Sequence, residues 1–582
     1  MLSSGILAGL LFFAGCTTCF SPAAGAQAGG RNEAPQTSSP AATLRTYTRM
    51  VNLEVVAKDA KGNHIQGLKA EDFQIEEQTP DKGRKQSRQT IAGFREMHMA
   101  SMAAPAPAQA KMPPGEFTNA VAVSKDPAPP TILLVDGLNT PVEQQAQVHV
   151  QMLKMLRQLP ANVPVAVFLL GGKLTLLQGF TSDPKFLQAA LSNVTSAAGA
   201  GIATVQPQDD PGAPGNSMSG IGSSDPDLND LIAAAQNFDK AVYAAQMDER
   251  VNRTANALES IARSAAGYPG RKNLLWLSTA FPIAVEPVAQ ALGPDNQRLY
   301  FAHLQRVNEA LSDAKVSVYP VNVAGVTNLA AYQAGTRPPE GSSGGDVRGS
   351  VHRQELLEQR QDDTMQVIAE GTGGKVCTGD NDLGDCVRKA VDDSSDFYEI
   401  SYYSNSTDWN GEFRRISVKT GAKGAHLSYR QGYFATPEGG SGPKGQSQQL
   451  QSDCENYLDA TAIPFTAATL PADAPGQMKF SLLVDAAALT LRPNADGKVP
   501  LDLAIGVCTY NEKGWPLKLM NYPVSLLLDA GRYQTLLATG KLADTIRIPA
   551  PQPAAIRLLV KDVPTGRLGS IYISTHQTTA PN

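Results

Sequence analysis

The stretch that decides the fold is PPTILLVDGLNT, residues 129–140. Its two prolines cannot continue a helix, and the apolar, partly β-branched run after them ends at Asp136 and Gly137. Such a run is typical of a strand buried on both faces in the middle of a parallel sheet. Open α/β sheets bind ligands beyond the carboxyl ends of their strands, so Asp136 is the first candidate for a functional residue.

Strands and helices alternate after this stretch. Apolar runs predict further strands at 163–170, 273–278 and 316–321, with a short edge strand at 174–178. A last short strand is predicted at 375–377. Helical spacing of apolar residues predicts helices at 142–159, 227–266, 298–314, 353–370 and 382–391. The alternation predicts an α/β domain with a doubly wound parallel sheet over residues 129–392, with loop insertions at 196–226 and 327–350.

The flanking segments show the two-residue period of β-strands instead. Residues 46–100 predict a small β module, and residues 393–436 predict a β meander that we expect to pair with it in one sandwich. Residues 453–582 predict a C-terminal antiparallel β-sandwich. Ala-, Pro- and Met-rich residues 101–128 and Gly-, Ser- and Gln-rich residues 437–452 are expected to be linkers.

The first residues predict export. Residues 5–15 are apolar but too short to span a membrane, and Ala24-Gly25-Ala26 fits a signal-peptide cleavage site, so residues 1–26 are expected to be removed. Residues 27–45 would then be a disordered tether. The alternative is a lipoprotein anchored at Cys16. The predicted location is periplasmic or extracellular, with no transmembrane segment after signal cleavage.

Four cysteines remain in the predicted mature chain. An even count in an exported protein indicates disulfides, so we expect Cys377 to pair with Cys386, which is close in sequence. Cys454 and Cys508 would then pair within the last domain. A zinc site is the competing interpretation, but no C-x-x-C spacing supports it.

Charge and length limit the classes of partner. The 582 residues are 42% hydrophobic, which is enough for several cores, and the formal net charge is −5. The chain therefore lacks the positive field that nucleic acids or anionic membranes attract.

Several of these stretches together resemble the acidobacterial von Willebrand factor type A-related (VWFA-related) proteins. The resemblance covers roughly residues 45–436 and is carried, in order, by ILLVDGLNT (132–140), FLL (168–170), LQGFTSDP (177–184), GRKNLLWLS (270–278), DFYEISYY (396–403) and RQGYF (430–434). It implies a secreted VWFA-like, Rossmann-like α/β domain that binds partners. GLKAEDF (67–73) in turn resembles bacterial immunoglobulin-like domains.

The resemblance also implies a place for a metal ion. Type A domains with a working site carry Asp-x-Ser-x-Ser after this strand, with a distant Thr and Asp, and hold Mg²⁺ through oxygen ligands. Here Asp136 keeps the first position and Thr140 the last, but Leu138 replaces the middle serine. No carboxylate stands near 278–280, where the distant Asp is expected. We therefore predict a degenerate site without a cofactor. Weak Mg²⁺ binding at Asp136 and Thr140 is the alternative to Asp136 as a loop or helix cap.

Other candidate chemistry does not fit the sequence. Residues 371–375 (GTGGK) follow a predicted helix, whereas a phosphate-binding loop follows a strand. Residues 380–391 have Asp385 where a calcium loop has its turn glycine and Val391 where it has its closing glutamate. The seven histidines show no metal-binding spacing, and no nucleophile elbow accompanies them. We predict no catalytic residues.

Three functions remain as hypotheses. The first is an exported, non-enzymatic binding or scaffold protein of the cell envelope that holds a protein or polymer on the rim of its α/β domain. The second is Mg²⁺-dependent adhesion, which is the metal-requiring form of the same function. The third is a secreted hydrolase with an unrecognised site.

Overall fold

The computed structural model describes residues 50–78, 86–99, 112–121, 128–140, 149–150, 152–155, 158, 163–192, 226–278, 294–322, 365–377, 383–406, 408–435, 450–451, 453–455, 458–494, 496–549 and 553–575. The predicted signal peptide, the tether at 27–45 and the loop at 327–350 lie outside these residues. So do all but the last residue of the loop at 196–226.

The described residues form several sheets and helices. The strands are β1 (Met50–Lys58), β2 (Phe73–Gln78), β3 (Gln86–Gln89), β4 (Ile91–His98), β5 (Glu116–Thr118), β6 (Thr131–Asp136), β7 (Val165–Leu170), β8 (Leu174–Thr181), β9 (Lys272–Ser278), β10 (Val316–Asn322), β11 (Asp396–Tyr403), β12 (Phe413–Thr420), β13 (His426–Ser428), β14 (Gly432–Phe434), β15 (Phe465–Leu470), β16 (Gln477–Asp485), β17 (Val499–Tyr510), β18 (Pro516–Leu528), β19 (Lys541–Pro549), β20 (Ala555–Asp562) and β21 (Leu568–Ser574). The helices are α1 (Pro184–Ser192), α2 (Pro226–Ala265), α3 (Pro294–Asp313), α4 (Leu383–Ser395) and α5 (Ala530–Thr539). Residues 365–372 are also helical.

A five-stranded, mostly parallel sheet carries the stretch at 129–140. Its order is β10-β9-β6-β7-β8, and β8 is the antiparallel edge strand. Next to β10, Cys377 forms one further parallel bridge with Val321. Strand β6 therefore lies in the middle of the sheet, as its apolar run predicts, and all six of its residues are buried.

Both faces of this sheet are covered, which explains why β6 has no polar face. Leu134 lies in a core that includes Leu258 of α2 and Val307 of α3. Leu133 lies in a second core with side chains of α1 and α4. Successive residues of a strand point to opposite faces, so one apolar run contributes to two cores.

Strands from both sides of the α/β domain form two further sheets, with orders β13-β1-β11-β4 and β14-β12-β2-β3. Strand β1 runs antiparallel to β11, from the pair Met50–Tyr403 to the pair Val55–Tyr398, and β2 pairs with β12. Side chains of both sheets share one core that includes Leu53, Ile75 and Ile400. Helix α4 ends at Ser395 and β11 begins at Asp396, so no loop separates the α/β domain from this core.

The C-terminal sheets have the orders β19-β16-β15-β5 and β18-β17-β20-β21. Strand β5 corrects the prediction of a linker at 101–128, because Glu116–Thr118 pairs antiparallel with β15. The next residue, Asn119, is buried and its amide donates to the carbonyl oxygens of Ala460 and Ile463 at 2.7 and 3.0 Å. The C-terminal sandwich is therefore built partly from a segment that precedes the α/β domain.

Two disulfides join the four cysteines in the expected pairs. Cys377 is bonded to Cys386 of α4, and Cys454 is bonded to Cys508 of β17. Their Cα atoms are 6.1 and 5.8 Å apart. Such pairs are compatible with an oxidising compartment. Among the described residues, no helix is both long and apolar enough to cross a membrane.

Candidate functional site

The candidate site lies at the carboxyl end of β6. Asp136 is the last residue of this strand and is fully buried. The backbone then turns over the neighbouring strand, because the amides of Gly137 and Leu138 both donate to the carbonyl oxygen of Leu170, at 2.8 and 3.0 Å. The loop 137–140 is held over the end of β7, while the side chain of Asp136 is directed to β9.

Three N–H groups donate to the carboxylate of Asp136. The backbone amide of Asn139 donates to Oδ1 at 2.9 Å, and the side-chain amide of Asn139 donates to Oδ2 at 2.7 Å. The indole Nε1 of Trp276, which lies on β9, donates to the same Oδ2 at 2.9 Å. The carboxylate thus joins its own loop to the adjacent strand.

Asn139 connects this loop to helix α2. Its amide nitrogen also lies 3.0 Å from the hydroxyl oxygen of Thr254, and the Nε atom of Arg250 donates to its amide oxygen at 3.3 Å. The hydroxyl of Thr254 donates to the backbone oxygen of Arg250 at 2.8 Å. The end of β6, Trp276 of β9 and one turn of α2 are therefore joined by one hydrogen-bond network that is partly to fully buried.

Burial dominates the electrostatics of this site. It raises the pKa of Asp136, whereas the hydrogen bonds from Asn139 and Trp276 and the positive charge of Arg250 lower it. A carboxylate taken out of water is costly, and these donors replace part of its hydration, so its pKa stays above the usual value. The arrangement stabilises the loop.

The donor set fits a hydrogen-bonded carboxylate better than a ligand of Mg²⁺. An ion of this kind requires about six oxygen ligands in octahedral geometry, and here N–H groups point at both oxygens of Asp136. Thr140, the second predicted ligand, is buried in the same loop, and Ser278 is the buried last residue of β9. Residues 279 and 280 lie outside the described residues. Within the described part of the chain, no three His, Cys, Asp or Glu side chains are grouped to hold a metal ion.

The sequence did not indicate which groups donate hydrogen bonds to Asp136. Trp276 is the one aromatic residue in an otherwise aliphatic strand segment, and a buried indole N–H usually needs an acceptor, so that residue type was a usable signal. Thr254 and Arg250 lie on a 40-residue helix and carry no comparable signal. Only the fold brings them to Asp136.

No protein-family model matches the chain, and no curated protein matches it. One solved structure that it matches is an aerotolerance-related membrane protein from Bacteroides fragilis, with 11% identity over 45% of this chain and 98% of that chain and a TM-score of 0.23. A similarity at this TM-score carries no argument about function.

Proposed function

We propose that this chain is an exported binding or scaffold protein of the cell envelope, and that it holds a protein or polymer partner without catalysing a reaction. The proposed binding element is a VWFA-like domain with a degenerate metal site, flanked by immunoglobulin-like sandwiches. Binding would take place at the rim where β6, β9 and β10 end.

The strand order supports the VWFA-like assignment. The first strand of the domain, β6, is central, and the next two, β7 and β8, extend the sheet on one side. The later strands β9 and β10 extend it on the other side, followed by the bridge at Cys377. The order therefore reverses at β6, and such a switch point is where open α/β sheets usually bind their ligands.

The observation that carries a metal-independent function is the engagement of Asp136. Metal-dependent type A domains need this carboxylate as an ion ligand, whereas here Asn139 and Trp276 donate to both of its oxygens. An ion would have to displace these buried hydrogen bonds, and a buried donor left without a partner costs about 1–3 kcal/mol. The rim would then bind through the loops that surround Asp136.

The disulfides support export. Cys377–Cys386 and Cys454–Cys508 would persist in the periplasm or outside the cell, where thiols are oxidised. The same compartment agrees with the predicted signal peptide at 1–26.

A binding experiment tests this function. The mature chain is immobilised and exposed to envelope extract with and without EDTA. A variant with residues 327–350 replaced by a Gly-Ser segment of equal length tests whether that predicted loop takes part in binding. We expect the same bound protein or polymer with and without EDTA, and less of it on the variant. Absence of any retained component would overturn the binding function.

Calorimetric titration with Mg²⁺ separates the two forms of the proposal. We expect no saturable heat from the wild type. If EDTA releases the partner, and Asp136→Ala or Thr140→Ala abolishes a measured Mg²⁺ heat, metal-dependent adhesion is the better description.

A further inference from the structure

A buried lysine lies at the opposite end of the parallel sheet from Asp136. Lys272 is the first residue of β9 and is 1% exposed. Its Nζ atom donates to the carbonyl oxygens of Tyr268 and Gly270, at 2.7 and 3.0 Å. Both acceptors belong to the turn between α2 and β9, so the amine is held by neutral groups and has no ion pair of its own among the described contacts.

A second lysine lies beside it. The backbone oxygen of Lys315 accepts a hydrogen bond of 2.9 Å from the amide of Lys272, which places the two residues next to each other at the start of β9 and β10. Lys315 has a φ of 53°, a left-handed conformation that is rare for residues other than glycine. Its ammonium group forms an ion pair with Glu399 of β11.

Two glutamates face each other on the sandwich side of this contact. Glu54 of β1 is the direct cross-strand partner of Glu399. Like charges directly opposite each other destabilise a sheet, and the ion pair of Lys315 is with Glu399. The carboxylate of Glu54 favours the charged form of Lys272, while Lys315 disfavours it.

Two further titratable residues, Arg271 and Tyr268, lie close to Lys272 in the chain. The guanidinium of Arg271, adjacent in the chain, donates to the backbone oxygen of Gly373, and Tyr268 presents its backbone oxygen to Lys272. The cluster that governs the amine is thus two lysines from the α/β sheet and two glutamates from the sandwich.

We propose that Lys272, Lys315, Glu54 and Glu399 form a proton-linked interlock between the parallel sheet and the N-terminal sandwich, and that Lys272 is the group that gains or loses the proton. When Lys272 is neutral, its hydrogen bonds to the two carbonyl oxygens satisfy the buried amine, and the parallel sheet and the N-terminal sandwich pack tightly. When it is charged, one buried positive charge lies beside Lys315 and the contact loosens.

The pKa of Lys272 supports this assignment and sets the direction of the effect. Burial and the charge of Lys315 lower it from 10.5 to about 7, against the opposing effect of Glu54. Between these values the unfolded chain binds more protons than the folded chain, so this residue makes folding more favourable as pH rises from about 7 towards 10. Below about pH 7, Lys272 is charged in both the folded and the unfolded chain, and this pH dependence ends.

Unfolding of the full mature chain as a function of pH tests the interlock. We expect the unfolding equilibrium constant of the wild type to fall by up to about tenfold for each pH unit above 7, as release of one proton requires. Lys272→Met should remove this component, whereas Lys423→Met, at an exposed position of the same sandwich, should leave it unchanged. A Lys272→Met variant with the same slope as the wild type would overturn the proposal.

Two further variants keep the test decisive if Lys272→Met does not fold. Glu54→Gln removes the favourable carboxylate and should move the midpoint of the pH dependence to lower pH. Lys315→Met removes the repelling charge and should move it to higher pH. Shifts in the same direction, or no shift in either variant, would contradict the assignment of Lys272.

Discussion

The indole Nε1 atom of Trp276 donates a hydrogen bond of 2.9 Å to Oδ2 of Asp136. The two residues are on adjacent parallel strands, and the register places Trp276 opposite Leu134, two residues before Asp136. The indole therefore extends along the sheet to the carboxyl end of β6. A side chain from the core thus holds the rim in place.

Trp276→Phe tests the value of this contact. We expect a loss of about 2–3 kcal/mol in the free energy of unfolding, because a buried carboxylate loses a donor and the ring becomes smaller. Urea denaturation measures the loss. Trp515→Phe is the matched control, since Trp515 is 64% exposed and its replacement should change stability by less than about 0.5 kcal/mol. Equal effects of the two substitutions would show that the bond to Asp136 contributes nothing.

The contacts of Asp392 with His64 and Lys58 predict a loss of stability in acid. The imidazole of His64, 3.2 Å away, and the ammonium of Lys58, 2.6 Å away, lower the pKa of Asp392 to about 2. A lowered carboxyl pKa contributes stability above the unfolded value, which is lost as pH falls towards the folded value. Asp392→Asn should therefore reduce the dependence of stability on pH between about 4 and 2, with Asp496→Asn, at an exposed turn, as control.

The effect of Asp392→Asn at neutral pH should be modest. The side chain of Asp392 is 52% exposed, so water screens its ion pair and the expected loss is about 1 kcal/mol or less. Acid titration monitored by circular dichroism measures both quantities. An unchanged acid midpoint in this variant would show that the contacts with His64 and Lys58 do not stabilise the fold.

The two disulfides should contribute unequally to the free energy of unfolding. Cys454 and Cys508 are 54 residues apart, and Cys377 and Cys386 are nine residues apart. Loop-closure entropy gives about 4 kcal/mol for the longer loop and about 3 kcal/mol for the shorter one. We expect the Cys454→Ser/Cys508→Ser variant to unfold at lower denaturant concentration than the Cys377→Ser/Cys386→Ser variant. The reverse order would indicate that the longer loop keeps residual structure when unfolded.

Gly267 is predicted to stabilise the contact between α2 and the C-terminal sandwich. Its amide donates to the hydroxyl of Thr461 at 2.8 Å, and that hydroxyl donates to the backbone oxygen of Ser264 at 2.8 Å. A Cβ atom on Gly267 would lie 2.5 Å from the backbone oxygen of Thr461, which cannot rotate away. Gly267→Ala should cost about 1–3 kcal/mol.

Limited proteolysis and urea denaturation of Gly267→Ala would measure this cost. Gly172→Ala is the matched control, because a Cβ atom there meets nothing within 4 Å. If both variants are as stable as the wild type, the contact with Thr461 does not hold the sandwich to α2.

The buried strands of the parallel sheet were readable from the sequence because each is a short apolar run bounded by turn residues. The mostly parallel sheet and both disulfide pairs are confirmed. Within the predicted C-terminal sandwich, β15 (FTAATL) has no clear sequence signal, since its small and polar residues form no apolar run. Helix α5 was missed although Asp529 caps its first turn and Gly540 follows it in a left-handed conformation.

The sequence indicated Asp136 but not the groups that donate to it. Asp136 was identified because it ends an apolar run, but its donors lie 3 and 140 residues further along the chain. The contact with Trp276 follows from the register of β9 against β6, and no local pattern encodes register between separate parallel strands. Strand β5 was not predicted for a similar reason. Its three residues form a strand because they pair with β15. The prediction that no metal binds stays a prediction.

Strand β11 lies between β1 and β4, and 298 residues separate His98 of β4 from its partner Asp396. During synthesis, a ribosome working at about 5–20 residues per second needs roughly 15–60 s to make the intervening chain. For that time β1 and β4 exist without the strand that joins them. Productive biogenesis therefore favours delivery of the whole polypeptide before folding starts, and a chaperone that covers the first hundred residues should raise the yield.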